Sequence, residues 1–128
     1  MSYVSSNPRA YLGISVGSGQ CVAYAQAAAG MPTTSHWRRG ASVHGNILIQ
    51  PGTAIATFDK TGRYGNHTDG RSHVAIYLGQ DARGLRVLDQ WISHHDGRTI
   101  RTGVHERIIQ FQSKTRAEND GRNYYVVE

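Results

Sequence analysis

One run of the sequence, and only one, strongly favours a helix. Residues 21–29 read CVAYAQAAA, and alanine is the residue that best stabilises a helix. The GSG stretch at 17–19 is typical of a loop that leads into a helix, while Gly30 and Pro32 are typical of residues that end one. We therefore expect the helix to begin at or next to Cys21.

The rest of the chain contains short runs rich in β-branched and aromatic residues. Such runs, bounded by Gly, Asn and Asp, are typical of strands joined by turns. We predict strands at 53–58, 72–78, 85–91, 104–111 and 124–127, a hairpin turn at 80–84 and a long surface loop at 31–52. One N-terminal helix packed on an antiparallel sheet of about five strands would give an α+β fold.

Composition limits the possible classes of protein. The 128 residues suit one domain, 1–128, and no run approaches the roughly 20 apolar residues that a membrane helix needs. No secretory signal is visible at the N-terminus. The net charge of +5 implies attraction to polyanions, but Arg38 and Arg39 form the only basic doublet, which argues against a nucleic-acid partner. We expect a monomer that does not insert into membranes.

The single cysteine excludes an intrachain disulfide and a cysteine-rich zinc site. Cys21 is therefore either an inert filler or a reactive thiol. A free thiol has a pKa of about 8.5 and must be activated before it can act as a nucleophile. A helix N-terminus contributes up to about 1 kcal/mol, which is less than one pKa unit. A protonated histidine beside the sulfur would supply the rest.

His73 is the best candidate for that histidine. It opens the predicted strand SHVAIYLG, and the alanines of the helix would allow this strand to approach closely. In the following strand, RVLDQW, alternation places Asp89 on the apolar face, where a carboxylate needs a partner. His73 is the simplest partner for Asp89, which would then orient the imidazole. Gln90 is the alternative orienting residue if the strand register slips.

Four other side chains are candidates for binding a substrate. Trp37, within the basic stretch 36–39, is placed either to wall a groove for a carboxylate-bearing ligand or to lie in a solvated loop. Tyr64 and His67 lie in a glycine-flanked loop ahead of His73. This loop is either the rim of a binding cleft or a mobile segment without a binding role. Gln20 either assists an oxyanion through its side chain or faces solvent.

The remaining histidines do not form a recognisable metal site. His94 and His95 stand beside Asp96 and Gly97, a turn signature that indicates a solvated loop. His105 is followed by glutamate but lacks the second histidine of a zinc protease helix. We expect neither a metal ion nor a cofactor.

Four segments together resemble a known family. GSGQCVAYAQAAAG, PGTAIATFD, SHVAIYLG and RVLDQW are similar, in this order, to CHAP domains and to the related NlpC-like peptidases of the papain-like group. The resemblance covers residues 13 to 92 approximately. It implies cleavage of amide bonds in peptidoglycan peptides, with Cys21 as nucleophile, His73 as general base and Asp89 as the orienting group. Family members often carry Glu-Asn where this chain has Asp89 and Gln90.

A small basic chain of this kind also resembles the amidase effectors that type VI secretion systems inject into rival bacteria. That resemblance implies synthesis in the bacterial cytoplasm, export to the periplasm or cell wall, a peptidoglycan substrate, and an immunity protein as a candidate partner. Two alternatives stay open. The same three residues would serve a glutamine deamidase or transglutaminase-like toxin, and a noncatalytic basic binding module would need none of them.

Overall fold

The computed structural model of the chain describes residues 1–112 and 116–128. Within them there is one α-helix, α1 (Cys21–Ala29). The strands are β1 (Arg39–Ser42), β2 (Ala54–Ala56), β3 (Val74–Gln80), β4 (Gly84–Asp89), β5 (Ile92–His95), β6 (Arg98–Arg101), β7 (His105–Gln110) and β8 (Tyr125–Val127). Short 3₁₀ helices lie at Pro8–Tyr11, Thr34–His36, Ala117–Asn119 and Gly121–Asn123. No helix in the described residues is long and apolar enough to cross a membrane.

The strands form an antiparallel sheet of six strands in the order β1-β8-β2-β3-β4-β7, and β5 and β6 pair separately as a hairpin. The expected α+β class is confirmed. All five predicted strands are present, as β2, β3, β4, β7 and β8, and the helix begins at Cys21 as expected. The helix ends at Ala29 and is capped by Gly30, whose φ of 63° is the left-handed conformation that glycine adopts most easily.

Alternating side chains of the sheet enter two apolar clusters. Along β3, Val74 and Ile76 pack in a cluster with Tyr24 of α1, whereas Ala75 and Tyr77 belong to the other cluster. The side of the sheet that packs against α1 is therefore separate from the side on which Val43, Ile49 and Tyr124 pack. This two-sided burial follows from the period of two in a strand.

The hairpin between β3 and β4 positions the chemistry. Gln80 pairs with Leu85 across the predicted turn, and Ile76 pairs with Leu88 farther along. Because the two strands run in opposite directions, the start of β3 lies beside the end of β4. His73, which directly precedes β3, and Asp89, the last residue of β4, therefore reach the same end of the sheet.

Two segments that we predicted as loops contain strands. Residues 39–42 pair with β8 at the edge of the sheet, although RGAS has no branched or aromatic residue that would indicate a strand. The turn signature at Asp96 and Gly97 is real, with φ values of 51° and 74°, but ISHH and RTIR on either side of it form β5 and β6. Two positive φ values in a two-residue loop are the hairpin geometry that Asp-Gly favours.

Gly84 lies where the backbones of β4 and β7 approach each other closely. A Cβ at this position would collide with the carbonyl oxygen of Ile109 and lie 2.8 Å from the Cα of Gln110. Because backbone atoms cannot move aside without disturbing the ladder, Gly84→Ala should lower the free energy of unfolding by about 1–3 kcal/mol in a denaturant titration. Gly79→Ala is the matched control, since its Cβ would meet only the flexible end of Arg86. Equal losses in the two variants would contradict the prediction.

Candidate active site

A buried hydrogen bond joins the two residues at the end of the sheet. The Nε2–H of His73 donates to Oδ2 of Asp89 over 2.7 Å. The Asp89 side chain has no exposed surface and that of His73 is 6% exposed. The backbone N–H of His73 donates to the Thr57 hydroxyl over 3.0 Å, which holds the residue in place just ahead of β3. The imidazole is therefore oriented by the carboxylate and shielded from bulk water.

Cys21 lies at the N-terminus of α1 against this pair, and it is only partly buried. Burial disfavours the thiolate, but the positive charge of His73 and a hydrogen bond from its ring outweigh that effect, so the pKa of Cys21 is lowered. Burial alone would likewise lower the pKa of His73, but the Cys21 charge and the bond to Asp89 raise it to about 10. Both shifts favour a thiolate beside an imidazolium over the neutral pair.

Tyr64 faces the sulfur from the other side. Its hydroxyl lies 3.8 Å from Sγ of Cys21, and the residue is 7% exposed. Burial and the neighbouring thiolate both raise the pKa of the Tyr64 hydroxyl, so it keeps its proton and can donate to the sulfur. We predicted Tyr64 as a member of a cleft rim or of a mobile segment, and the structure places its hydroxyl beside the thiol.

Arg107 completes the site, and sequence reasoning missed it. From β7, its Nε and Nη2 lie 2.9 and 2.8 Å from Oδ2 of Asp89. Its Nη2 is also 3.4 Å from Nε2 of His73, and its guanidinium stacks on Trp91 at 4.8 Å from the ring centroid. Burial alone would raise the pKa of Asp89, but the bonds from His73 and Arg107 lower it. The carboxylate is therefore ionised and shared between two cations.

The sequence contained a weak signal for Arg107. In HERIIQ, alternation places His105 and Arg107 on the same side as Asp89 once β7 pairs with β4. His105 is directly opposite Asp89, with its Nε2 3.6 Å from Oδ1. The pairing itself joins residues that are 16 to 26 positions apart, and the sequence pattern alone does not specify it.

Gln90 does not orient the histidine. Its side chain is fully buried, its Oε1 accepts from the N–H of Val16 over 2.8 Å, and its Nε2 donates to the carbonyls of Val16 and Gln20 over 2.9 and 2.7 Å. These three bonds fix the loop that leads into Cys21. The alternative that we left open for Gln90, an orienting role after a register slip, is wrong because the register places Asp89 on the imidazole.

Two other predicted binding residues, Gln20 and Trp37, differ in their exposure to solvent. Gln20 is the exposed residue before α1, and its side chain makes no capping hydrogen bond. Trp37 has no exposed surface: its Nε1 donates to the carbonyl of Pro32, and its ring lies 4.8 Å from that of Tyr64. Both alternatives that we left open for Trp37, a groove wall and a solvated loop, are therefore wrong, because the indole is a core residue behind Tyr64.

His67 is engaged elsewhere. Its Nε2 lies 3.1 Å from Oδ1 of Asp59, and its Nδ1 lies 3.2 Å from Nη2 of Arg71. In the described residues its ring makes no hydrogen bond to Cys21, His73 or Asp89. The structure thus brings together Cys21, His73, Asp89 and Tyr64, and it leaves His67 in the neighbouring loop.

Comparison with known proteins shows the family of the chain. The family model described as domesticated amidase effector 2 matches residues 1–127. The chain belongs to the domesticated amidase effector 2 family. A relative from Salmonella typhi, named type VI secretion amidase effector 2 protein, is 38% identical over 114 residues, covering 85% of this chain and 84% of that protein. The resemblance to type VI amidase effectors is confirmed.

A solved structure supports the fold of this family member. The protein described as type 6 secretion amidase effector 2 (Tae2) is similar with a TM-score of 0.81 and 36% sequence identity. The match covers 98% of this chain and 94% of that chain. The shared architecture therefore extends beyond residues 13 to 92, where the sequence resemblance lay, to both ends of the chain.

The state of the Cys21 thiol can be measured by alkylation. We expect the rate of reaction with iodoacetamide to reach half its maximum below the ordinary thiol pKa of about 8.5, because His73 stabilises the thiolate. His73→Ala should move that midpoint to about 8.5 or higher, since burial, which raises this pKa, is then opposed only by the weaker effects of Val74 and Tyr64. His94→Ala, which removes an exposed histidine of the β5–β6 hairpin, is the control. An ordinary midpoint in the unmodified protein would contradict the ion pair.

The pairing of Arg107 with Asp89 predicts a large loss of stability on truncation. Arg107→Ala leaves a buried carboxylate short of one partner, and it should lower the free energy of unfolding by about 3 kcal/mol in a denaturant titration. Arg83→Ala removes an arginine from the exposed Asp81 ion pair instead, where solvent screens the charges, and should change stability little. Similar losses in the two variants would show that the buried pair contributes no more to the free energy of unfolding than the exposed one.

Proposed function

We propose that this chain is a cysteine amidase that hydrolyses amide bonds in the peptides of bacterial peptidoglycan, with residues 1–128 forming one catalytic domain. The observation that carries the proposal is the contact series from Cys21 through His73 to Asp89, at the start of a helix and partly open to solvent. A nucleophile, a base and an orienting group in this order are what acyl transfer by cysteine requires. The amidase name of the relatives supports amide bonds as the target.

The first step is attack by the Cys21 thiolate on the carbonyl carbon of the substrate. Because Nε2 of His73 is bonded to Asp89, Nδ1 is the ring nitrogen left to serve the sulfur. The C–N bond then breaks, and the proton on Nδ1 passes to the leaving amine. The product of this step is a thioester on Cys21 and a neutral imidazole at His73.

The second step is hydrolysis of the thioester. A water molecule loses a proton to His73 as its oxygen attacks the thioester carbonyl, and the carboxylic acid product leaves Cys21. During both steps the bond to Asp89 stabilises the charged form of the imidazole, so the ring can give and take a proton without changing its orientation.

Negative charge on the carbonyl oxygen needs donors beside the sulfur. The backbone N–H of Cys21, in the first turn of α1, has no partner within the helix and is the principal candidate. The Gln20 side chain is a second candidate because it is exposed and uncommitted to a cap. The protonated Tyr64 hydroxyl is close enough to the sulfur to stabilise the thiolate between turnovers.

The relatives' names also inform the setting. We infer that this protein is made in a bacterium, delivered by a type VI secretion system and active on the cell wall of a target cell, and that the producing cell carries an immunity protein against it. A noncatalytic binding module would have no need of the His73–Asp89 pair. A deamidating or cross-linking toxin would use it, but the relatives are named amidases.

Digestion of purified peptidoglycan tests the proposal. We expect the wild type to release new amines and shorter stem peptides, detected by mass spectrometry of muropeptides, and Cys21→Ala to release none. Gln20→Ala is a matched control at the neighbouring position, which should retain cleavage at a reduced rate if its side chain assists the oxyanion. Identical muropeptides from wild type and Cys21→Ala would contradict the proposal. Glutamine deamidation without cleavage would favour the toxin alternative.

A further inference from the structure

The β5–β6 hairpin projects basic side chains beside the loop that leads into Cys21. The hairpin is outside the six-stranded sheet, and all four residues of β6 are exposed. Its one acidic residue, Asp96, is paired with His95 at 3.5 Å. Arg98 and Arg101 form no ion pair with a carboxylate among the described residues, so the hairpin has an excess of positive charge.

Arg101 is fixed at a defined place. Its Nη1 donates to the carbonyl of Ser18 over 2.7 Å, three residues before the cysteine. The contact between hairpin and loop is close: a Cβ on Gly19 would lie 2.9 Å from that Nη1 and 3.2 Å from Cγ1 of Ile92. The bonds from Gln90 hold the same loop from the protein interior. The guanidinium is therefore anchored against a rigid loop.

The anchored guanidinium keeps N–H donors that the contact with Ser18 does not use. An arginine side chain presents five N–H donors, of which the contact with Ser18 uses one. The planar fork that remains matches a carboxylate, and such charge-assisted pairs are the strong ones. Because the side chain is exposed and already held at one nitrogen, binding an anion would cost little additional ordering.

We propose that Arg101 binds a free carboxylate of the substrate peptide and thereby holds the peptide beside Cys21. This inference rests on the proposed function. Three residues span at most about 11 Å, so the Ser18 carbonyl, to which the guanidinium is bonded, lies within about three extended peptide residues of Cys21. Peptidoglycan stem peptides carry carboxylates on residues that adjoin their amide bonds. The binding of a carboxylate-bearing ligand, one of two alternatives that we considered around Trp37, is thus assigned to the β5–β6 hairpin.

Two synthetic stem peptides make the test. They share one sequence, but one has free side-chain and terminal carboxylates and the other has them amidated. We expect Arg101→Ala to raise KM for the free peptide about tenfold, as loss of a charge-assisted hydrogen bond would, with kcat nearly unchanged. The amidated peptide should be cleaved equally by wild type and variant. Arg101→Lys should recover part of the loss, and Arg98→Ala, the same charge change on the same strand, should lose little.

Binding provides a readout that does not depend on catalysis. Calorimetry with Cys21→Ala should show tighter binding of the free peptide than of the amidated one, and adding Arg101→Ala should abolish that preference. Equal weakening of both peptides, or no weakening of either, would overturn the role of Arg101, since a merely structural arginine would not distinguish them. Failure of the wild type to cleave either peptide would overturn the proposed function instead, while the binding preference still decides the present inference.

Discussion

The site depends on one buried negative charge, the carboxylate of Asp89. A carboxylate without exposed surface is unfavourable unless cations and hydrogen bonds surround it, and here His73 and Arg107 both meet it. These contacts cross three adjacent strands, since His73 precedes β3, Asp89 ends β4 and Arg107 lies in β7. Correct registers of β3 with β4 and of β4 with β7 are therefore needed for the charge to be satisfied, which couples the geometry of the site to the fold.

Arg107 also explains how a buried site tolerates a thiolate. With Cys21 and Asp89 ionised and His73 and Arg107 positive, the cluster has two charges of each sign. A neutral cluster keeps each ion paired, so the low dielectric strengthens the attractions that stabilise the reactive state. The proton of His73 can then move to a leaving group while the carboxylate keeps its second partner.

Local patterns were sufficient for much of the fold. The alanine run specified α1 and its start at Cys21, and the turn at 80–84 specified the hairpin that brings His73 to Asp89. Propensity failed where pairing with distant residues decided the structure. The RGAS segment forms β1 because it pairs with β8 at the edge of the sheet. We did not predict β5 and β6, although Asp96 and Gly97 indicated the turn between them.

The sequence by itself was enough to select Cys21, His73 and Asp89 as candidates, because a glycine loop before an alanine helix and two alternating strands are local features. The tertiary structure alone decided that Arg107 shares the carboxylate, that Gln90 fixes the loop and that Trp37 is core. The physical reason is that each of these roles depends on a contact between segments far apart in sequence. Which segments meet is decided by packing of the whole sheet, and no short pattern encodes it.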